Sequence, residues 1–221
     1  MRQKVNLGVL VSGNGSNLQS IIDNIDRGFL HAVIKVVISS NPGAHALERA
    51  ALHKIPTVVI QNHEYGKKDE SDQEMINVLS SYSVELVIMA GFMRILGPLF
   101  LRAFPLRIMN IHPALLPSFS GVRAQGRAAE YGVKFTGCTV HFADEGVDTG
   151  PVIIQAVVPA YPEDTEDTLA ARILMEEHKI YPQAIQFYAE GRIEVTGRKV
   201  RIRNADRMPN TGLYNPPLSI F

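Results

Sequence analysis

Asn110 and His112 stand two residues apart at the end of an apolar run, within Met109-Asn110-Ile111-His112-Pro113. In an extended strand, side chains alternate between faces, so the amide and the imidazole point the same way, with Cα atoms roughly 6.6 Å apart. An amide N–H can bind a developing oxyanion, and an imidazole can give or take a proton. The pair therefore suits one small reacting centre. Pro113 biases His112 away from helical geometry and keeps it extended. The same fragment also reads as a strand end with two ordinary polar residues.

Three further stretches carry candidate chemistry. Ser12-Gly13-Asn14-Gly15-Ser16-Asn17 lies between an apolar run and a helical pattern. A helix start offers free N–H groups and the positive end of the dipole, which attract phosphate. Gly13 and Gly15 let the backbone approach an anion closely, and Ser16 and Asn17 add donors. The alternative is a glycine turn with Ser16 as a helix cap. The stretch is neither the dinucleotide fingerprint nor a P-loop, since it lacks the third glycine and the lysine. Farther on, His141 alternates with Thr139, and Asp148 follows in the acidic loop Ala143–Gly150. A carboxylate beside an imidazole orients the ring. Gly91 to Leu96 mixes apolar side chains with the single cation Arg94, a composition suited to a flat heterocycle or simply to core. A metal site is not expected: His112 and His141 lack a HExxH or Cys/His framework, and Asp144, Glu145 and Asp148 do not match an EF-hand. GxSxG is absent, and Cys138 reads as a small buried hydrophobe.

These residues need elements to carry them. Val5 to Val11, Ala32 to Ile38, Thr57 to Ile60, Leu86 to Ala90 and Arg107 to Ile111 read as five strands. Helical spacing separates them: Leu18 to Ile25, Ala46 to His53, a helix opened by a capping box at Ser71 to Glu74, and Leu99 to Phe104. This βαβα order predicts an α/β fold: an open, mostly parallel, twisted Rossmann-like sheet with helices on both faces. Ser118 to Arg127 reads as an exposed loop. Phe135 to Phe142 and Val152 to Val158 suggest an antiparallel portion toward the C-terminus. Thr165 to Gly191 is helical, with Pro182 expected to kink or divide it. Ile193-Glu194-Val195 and Val200-Arg201-Ile202 suggest a terminal hairpin, and residues 204–221 a loose tail. Residues 1–203 are expected to form a single domain.

Composition narrows the partners. Of 221 residues, 46% are hydrophobic and 20% charged, ordinary for a soluble domain. Acidic and basic residues balance at 22 each, so no global field calls for nucleic acid or an anionic membrane. No apolar run is long enough to span a bilayer. A single cysteine excludes an intrachain disulfide and fits a cytoplasmic protein.

Taken together, LVSGNGSNLQ from Leu10, MAGFMRIL from Met89, NIHPALLP from Asn110, TVHFADEGVDTGPVI from Thr139 and EEHKIYP from Glu176 resemble the phosphoribosylglycinamide formyltransferase family. The segments cover about the first five-sixths of the chain. The resemblance implies formyl transfer from 10-formyltetrahydrofolate to the amine of phosphoribosylglycinamide in purine biosynthesis, by a monomer or homodimer and without metal. It implies that His112 supplies or shuttles a proton, Asn110 hydrogen-bonds the oxyanion, and Asp148 keeps His112 protonated and oriented. It further implies that Gly15, Ser16 and Asn17 hold the substrate phosphate and that Glu177 contacts the sugar. Met93, Arg94, Ile95 and Leu96, with Asp144, Glu145, Gly146 and Val147, are implied to line the folate pocket, and Lys68 to add a basic contact. The phosphate side falls in the N-terminal half and the folate side in the C-terminal half.

Three positions depart from the family pattern. Ser120 replaces a usual proline, Arg123 a usual histidine, and Leu174 a polar phosphate neighbour. Two other readings use the same residues. A formyltetrahydrofolate hydrolase would pass formyl to water, but usually carries a regulatory domain that does not fit ahead of Val5. A non-catalytic nucleotide or folate sensor would need no working His112.

Overall fold

The computed structural model describes residues 3–206 and residue 213. Five parallel strands come first: β1 (Val5–Val11), β2 (Ala32–Ser39), β3 (Thr57–Val59), β4 (Leu86–Met89) and β5 (Ile108–His112). β6 (Phe135–Phe142) and β7 (Val152–Pro159) follow, β6 antiparallel to both of its neighbours. The seven lie in the order β3-β2-β1-β4-β5-β6-β7, and β8 (Ile193–Thr196) and β9 (Lys199–Ile202) form a separate antiparallel hairpin. The expected Rossmann-like sheet is therefore present, with its antiparallel part in the C-terminal half.

Alternation in the strands divides the core. In β1, Leu7, Val9 and Val11 enter one apolar cluster while Leu10 enters the other. The first cluster packs on α1 (Ser16–Asp26), α2 (His45–Leu52), α5 (Ala124–Tyr131) and α6 (Glu166–Ala189). The second packs on α3 (Lys68–Ser81) and α4 (Pro98–Ala103), through Met75, Leu79 and Phe100. Burying each such side chain contributes about 1.5–3 kcal/mol, so both sheet faces must stay covered. Cys138 is fully buried, and burial pushes its thiol up to about 12. No helix among the described residues is long and apolar enough to cross a membrane.

Three expectations need correction. α3 begins at Lys68, so Ser71 is not its cap; its one hydroxyl hydrogen is shared between the Lys68 carbonyl at 2.8 Å and Asn62 Oδ1 at 3.0 Å. The capping box that does form joins Thr165 and Thr168 at the start of α6. Second, Ser118 to Arg127 is not all loop, because α5 starts at Ala124 and buries Ala124 and Ala128. Third, Pro182 does not divide α6, which runs unbroken from Glu166 to Ala189. A proline cannot donate to the carbonyl four residues earlier; Ser20 Oγ donates to that His178 carbonyl at 2.9 Å, so the freed acceptor is satisfied. Most of the tail expected over 204–221 lies outside the described residues.

Next to this proline, Tyr181 is wholly buried, and its hydroxyl lies 2.9 Å from the carbonyls of both Met89 and Met109. One side chain on α6 thus ties the end of β4 to Met109 near the start of β5, immediately before Ala90 and Asn110.

Candidate active site

β1 and β4 are neighbours, while the chain runs outward from β1 through β2 to β3 and from β4 to β5. Such a reversal of strand order opens a crevice at the carboxyl ends of the strands. The loops after β1 and β4 meet there: Ser12 N donates to the Gly91 carbonyl at 3.0 Å, and Met93 N to Ser12 Oγ at 2.9 Å. A cavity of about 690 Å³ occupies the crevice, a volume typical of small-molecule sites. Asn110, His112, Asp148, Glu177 and the Ser12–Asn17 loop all line it.

Asp148 is the hub of the centre. Its Oδ2 lies 3.2 Å from His112 Nδ1 and accepts from Gly121 N at 2.8 Å. Its Oδ1 accepts from Asn110 Nδ2 at 3.4 Å. The residue is held at φ 55°, an uncommon left-handed conformation for a non-glycine residue that surrounding bonds must enforce. Gly150 makes the tight return possible, since a Cβ there would stand 1.8 Å from the Phe142 carbonyl oxygen. His112 is buried, and its Nε2 faces the Phe119 carbonyl at 2.9 Å. Both ring nitrogens thus face oxygen acceptors.

His141 completes the group. Its Nδ1 lies 2.9 Å from the Phe142 carbonyl, so that nitrogen carries the proton and Nε2 accepts from Asn110 Nδ2 at 3.2 Å. Burial pushes its imidazole below the usual value, against smaller opposing effects of the Phe142 carbonyl and Asp148. The neutral ring makes no ion pair with Asp148 Oδ1 at 3.7 Å. Asn110 Nδ2 is wedged between these two acceptors instead. One of its hydrogens is committed to His141; the other makes the long, weak contact with Asp148.

On the opposite wall, Asn17 Nδ2 donates to Glu177 Oε2 at 2.7 Å. Burial pushes the Glu177 carboxyl up, and the Asn17 bond opposes the rise. Asn17 Oδ1 is buried with no partner among the described residues, an acceptor left open in the cavity wall. Gly15 sits at φ 77°, and a Cβ there would stand 2.6 Å from Ala46, so the loop lies flat on α2. Arg49 braces the loop from behind: Nε donates to the Asn14 carbonyl at 2.9 Å and Nη2 to Asn14 Oδ1 at 3.1 Å.

The sequence of residues 5–185 matches the model of the formyl transferase family. The chain belongs to the formyl transferase family. It is 40% identical over 191 residues to the phosphoribosylglycinamide formyltransferase of Escherichia coli strain K12, covering 86% of this chain and 90% of that one. It is 43% identical over 193 residues to the trifunctional purine biosynthetic protein adenosine-3 of Drosophila melanogaster, but spans only 14% of that protein's length. Among solved structures, glycinamide ribonucleotide transformylase 1 from Symbiobacterium toebii superposes with a TM-score of 0.89 at 46% identity, over 90% of this chain and 94% of that one.

In this member of the formyl transferase family, the residues expected around the folate fall into three groups. Met93, Ile95 and Leu96 all line the cavity, Met93 and Ile95 as exposed apolar groups and Leu96 as a buried one. Glu145, Gly146 and Val147 line it from the acidic loop, while the Asp144 carboxylate holds that loop by accepting from Gly146 N and Thr149 Oγ1. Arg94 and Lys68 differ from the rest. Arg94 lines the cavity, but its guanidinium is committed to Ser71 Oγ at 2.8 Å and to the buried Asp72 Oδ1 at 3.3 Å. Lys68 is exposed at the start of α3 and lies outside the cavity lining. Leu174 lines the cavity and brings no polar contact. Among the described residues, no group of three or more His, Cys, Asp or Glu is arranged to hold a metal ion.

His141 stands in the sequence as a strand histidine ahead of Asp148, but nothing there shows that it holds Asn110. Arg49 gave no signal there, since it lies on a helix far from any motif. The Phe119 carbonyl and Gly121 amide are main-chain groups, which no residue type announces.

Proposed function

We propose that this chain transfers the formyl group of 10-formyltetrahydrofolate to the amine of phosphoribosylglycinamide in purine biosynthesis. The observation that carries this reading is the meeting of Asn110, His112 and Asp148 in one cavity with the Ser12–Asn17 loop. The amine attacks the formyl carbon, and negative charge grows on the formyl oxygen. The Asn110 N–H that makes only the 3.4 Å contact is the one free to turn to that oxygen. Collapse requires the amine to lose a proton and the folate nitrogen to gain one. His112, oriented by Asp148 at Nδ1, moves that proton at Nε2, the nitrogen that rests on the Phe119 carbonyl, and the net proton count is unchanged. Neutral His141 keeps Asn110 facing the centre.

Gly15, Ser16 and Asn17 receive the phosphate at the start of α1, where backbone N–H groups and the helix dipole favour an anion. Glu177 takes the sugar. The apolar Met93–Leu96 edge and the Asp144–Val147 loop flank the pterin. Lys68 has no supporting contact with the cavity and is left out of this assignment. Residues 1–203 act as one unit, with small molecules rather than nucleic acid as partners; a cytoplasmic monomer or homodimer is part of the same reading.

Incubating the purified protein with both substrates and separating the products tests the reading. Formylated glycinamide ribonucleotide is expected. Formate as the sole product would instead establish a hydrolase, and tight binding of both ligands without turnover a sensor.

A further inference from the structure

We propose that Arg127 is a positioning residue for His112, acting through the main chain of Phe119. This inference rests on the proposed role of His112 in proton transfer. The His112 Nε2 proton points at the Phe119 carbonyl at 2.9 Å. That same carbonyl accepts from Arg127 Nη2 at 2.8 Å, and Nη2 also donates to the Ser120 carbonyl. The Arg127 guanidinium carbon stands 6.0 Å from the centre of the Phe119 ring, so the side chain grips both the backbone and the ring of one residue. Its Nε is buried with no partner among the described residues.

The segment needs such a grip. Phe119 at φ 52° and Arg123 at φ 54° are both left-handed without being glycine. Conformations of this kind persist only when their surroundings enforce them. A second tether lies two residues on, where Gly121 N donates to Asp148 Oδ2. Residues 119–121 thus hold both halves of the pair: a carbonyl accepts a hydrogen bond from the histidine and an amide donates one to the aspartate. Arg127 anchors the carbonyl half from α5. With Nε2 fixed there, Nδ1 is the nitrogen kept against Asp148. Without the guanidinium, the Phe119 carbonyl loses its fixed position and the imidazole loses the acceptor that sets its angle.

Arg127→Met and Arg127→Lys test this, alongside the unaltered protein and His112→Ala. Misplacing a catalytic group by about 1 Å costs roughly 100-fold in rate, so Arg127→Met is expected to lower kcat by roughly 10- to 100-fold. Both KM values should stay within about 3-fold, because Arg127 touches neither proposed substrate subsite. Arg127→Lys, which keeps one cationic donor but loses the planar fork and the ring contact, should recover only part of the loss. Nitrogen-15 spectra of the histidine rings give a second readout. The His112 Nε2–H signal, assigned by its absence in His112→Ala, should be protected from exchange in the unaltered protein and in Arg127→Lys, and lost in Arg127→Met. An unchanged ring signal in Arg127→Met, or kcat within 2-fold of the unaltered protein, would overturn the inference. The spectra need no substrate, so they judge the clamp even where the formyl-transfer reading itself fails.

Discussion

Replacing Asp148 with asparagine removes a charge while leaving the shape. With its amide oxygen in the place of Oδ2, the new side chain still accepts from Gly121 N and still faces His112 Nδ1, at the native 2.8 and 3.2 Å. Its amide nitrogen then meets Asn110 Nδ2, donor against donor, and only the weak 3.4 Å contact is lost. What disappears is the Coulomb attraction for an imidazolium. The His112 and Asp148 side chains are only 7% and 13% exposed, so little water screens them. At an effective dielectric of 20, unit charges about 4 Å apart attract by about 4 kcal/mol, which bounds the loss from above. At 1.36 kcal/mol per tenfold, that bound is roughly 10³ in rate, and kcat is expected to fall by roughly 10²–10³. Exchanging a charged for a neutral hydrogen bond costs only about 1–1.5 kcal/mol in the resting state, so the fold should survive. Saturating kinetics with both substrates, thermal melts and the double variant with His112→Ala form the assay. If Asp148 acts through His112, Asp148→Asn should cost little further once the imidazole is gone. A kcat within 3-fold of the unaltered enzyme, or the same loss in both backgrounds, would refute the reasoning.

Two further outcomes follow from the cavity's other wall. Arg49→Gln removes the cation behind the phosphate loop, together with its bonds to Asn14. KM for the phosphorylated substrate should rise roughly tenfold, about 1.4 kcal/mol, with kcat nearly unchanged. A substrate analogue lacking the phosphate should show no such change; an equal loss on both would leave Arg49 with a purely structural role. Glu177→Gln removes a carboxyl that burial has pushed up. Between the ordinary carboxylate value and that raised value, the native state keeps a proton the unfolded chain has released, so stability falls as pH rises through the window. The variant escapes this fall, and its Tm should exceed that of the unaltered protein at pH 8 and approach it near pH 4. A Tm difference independent of pH would show that the carboxyl does not carry this cost.

Legibility in the sequence tracked the range of the interactions involved. β1 was readable because Leu7, Val9 and Val11 answer one face and Leu10 the other, a pattern contained within seven residues. The helix opened by Ser71 was misread for the opposite reason. The local capping pattern is real, but Ser71 Oγ also accepts from Arg94 Nη2, 23 residues away, and the helix starts a turn earlier. α5 gave no usable signal: Ala-Gln-Gly-Arg-Ala-Ala-Glu-Tyr carries a glycine and two charges, and becomes amphipathic only once Ala124 and Ala128 meet the core. Pro182 was expected to interrupt α6 because the donor that rescues the freed carbonyl belongs to Ser20, on another helix.

The same division runs through the candidate site. Asn110, His112 and Asp148 were nameable in advance because side-chain chemistry is written in residue types. What fixes their geometry is supplied by groups with no such signature: the Phe119 carbonyl, the Gly121 amide and the Phe142 carbonyl. This accounts for how the departures at Ser120 and Arg123 coexist with an assembled centre. The contacts the centre uses from that segment are main-chain atoms of Phe119 and Gly121, and any side chain that permits the same backbone path preserves them. Arg123 contributes by a different route, pairing with Glu130 and Glu166 at the exposed start of α5. Such exposed pairs contribute little to stability. Substitution at Arg123 should therefore be felt in the ordering of the segment rather than in the chemistry of His112.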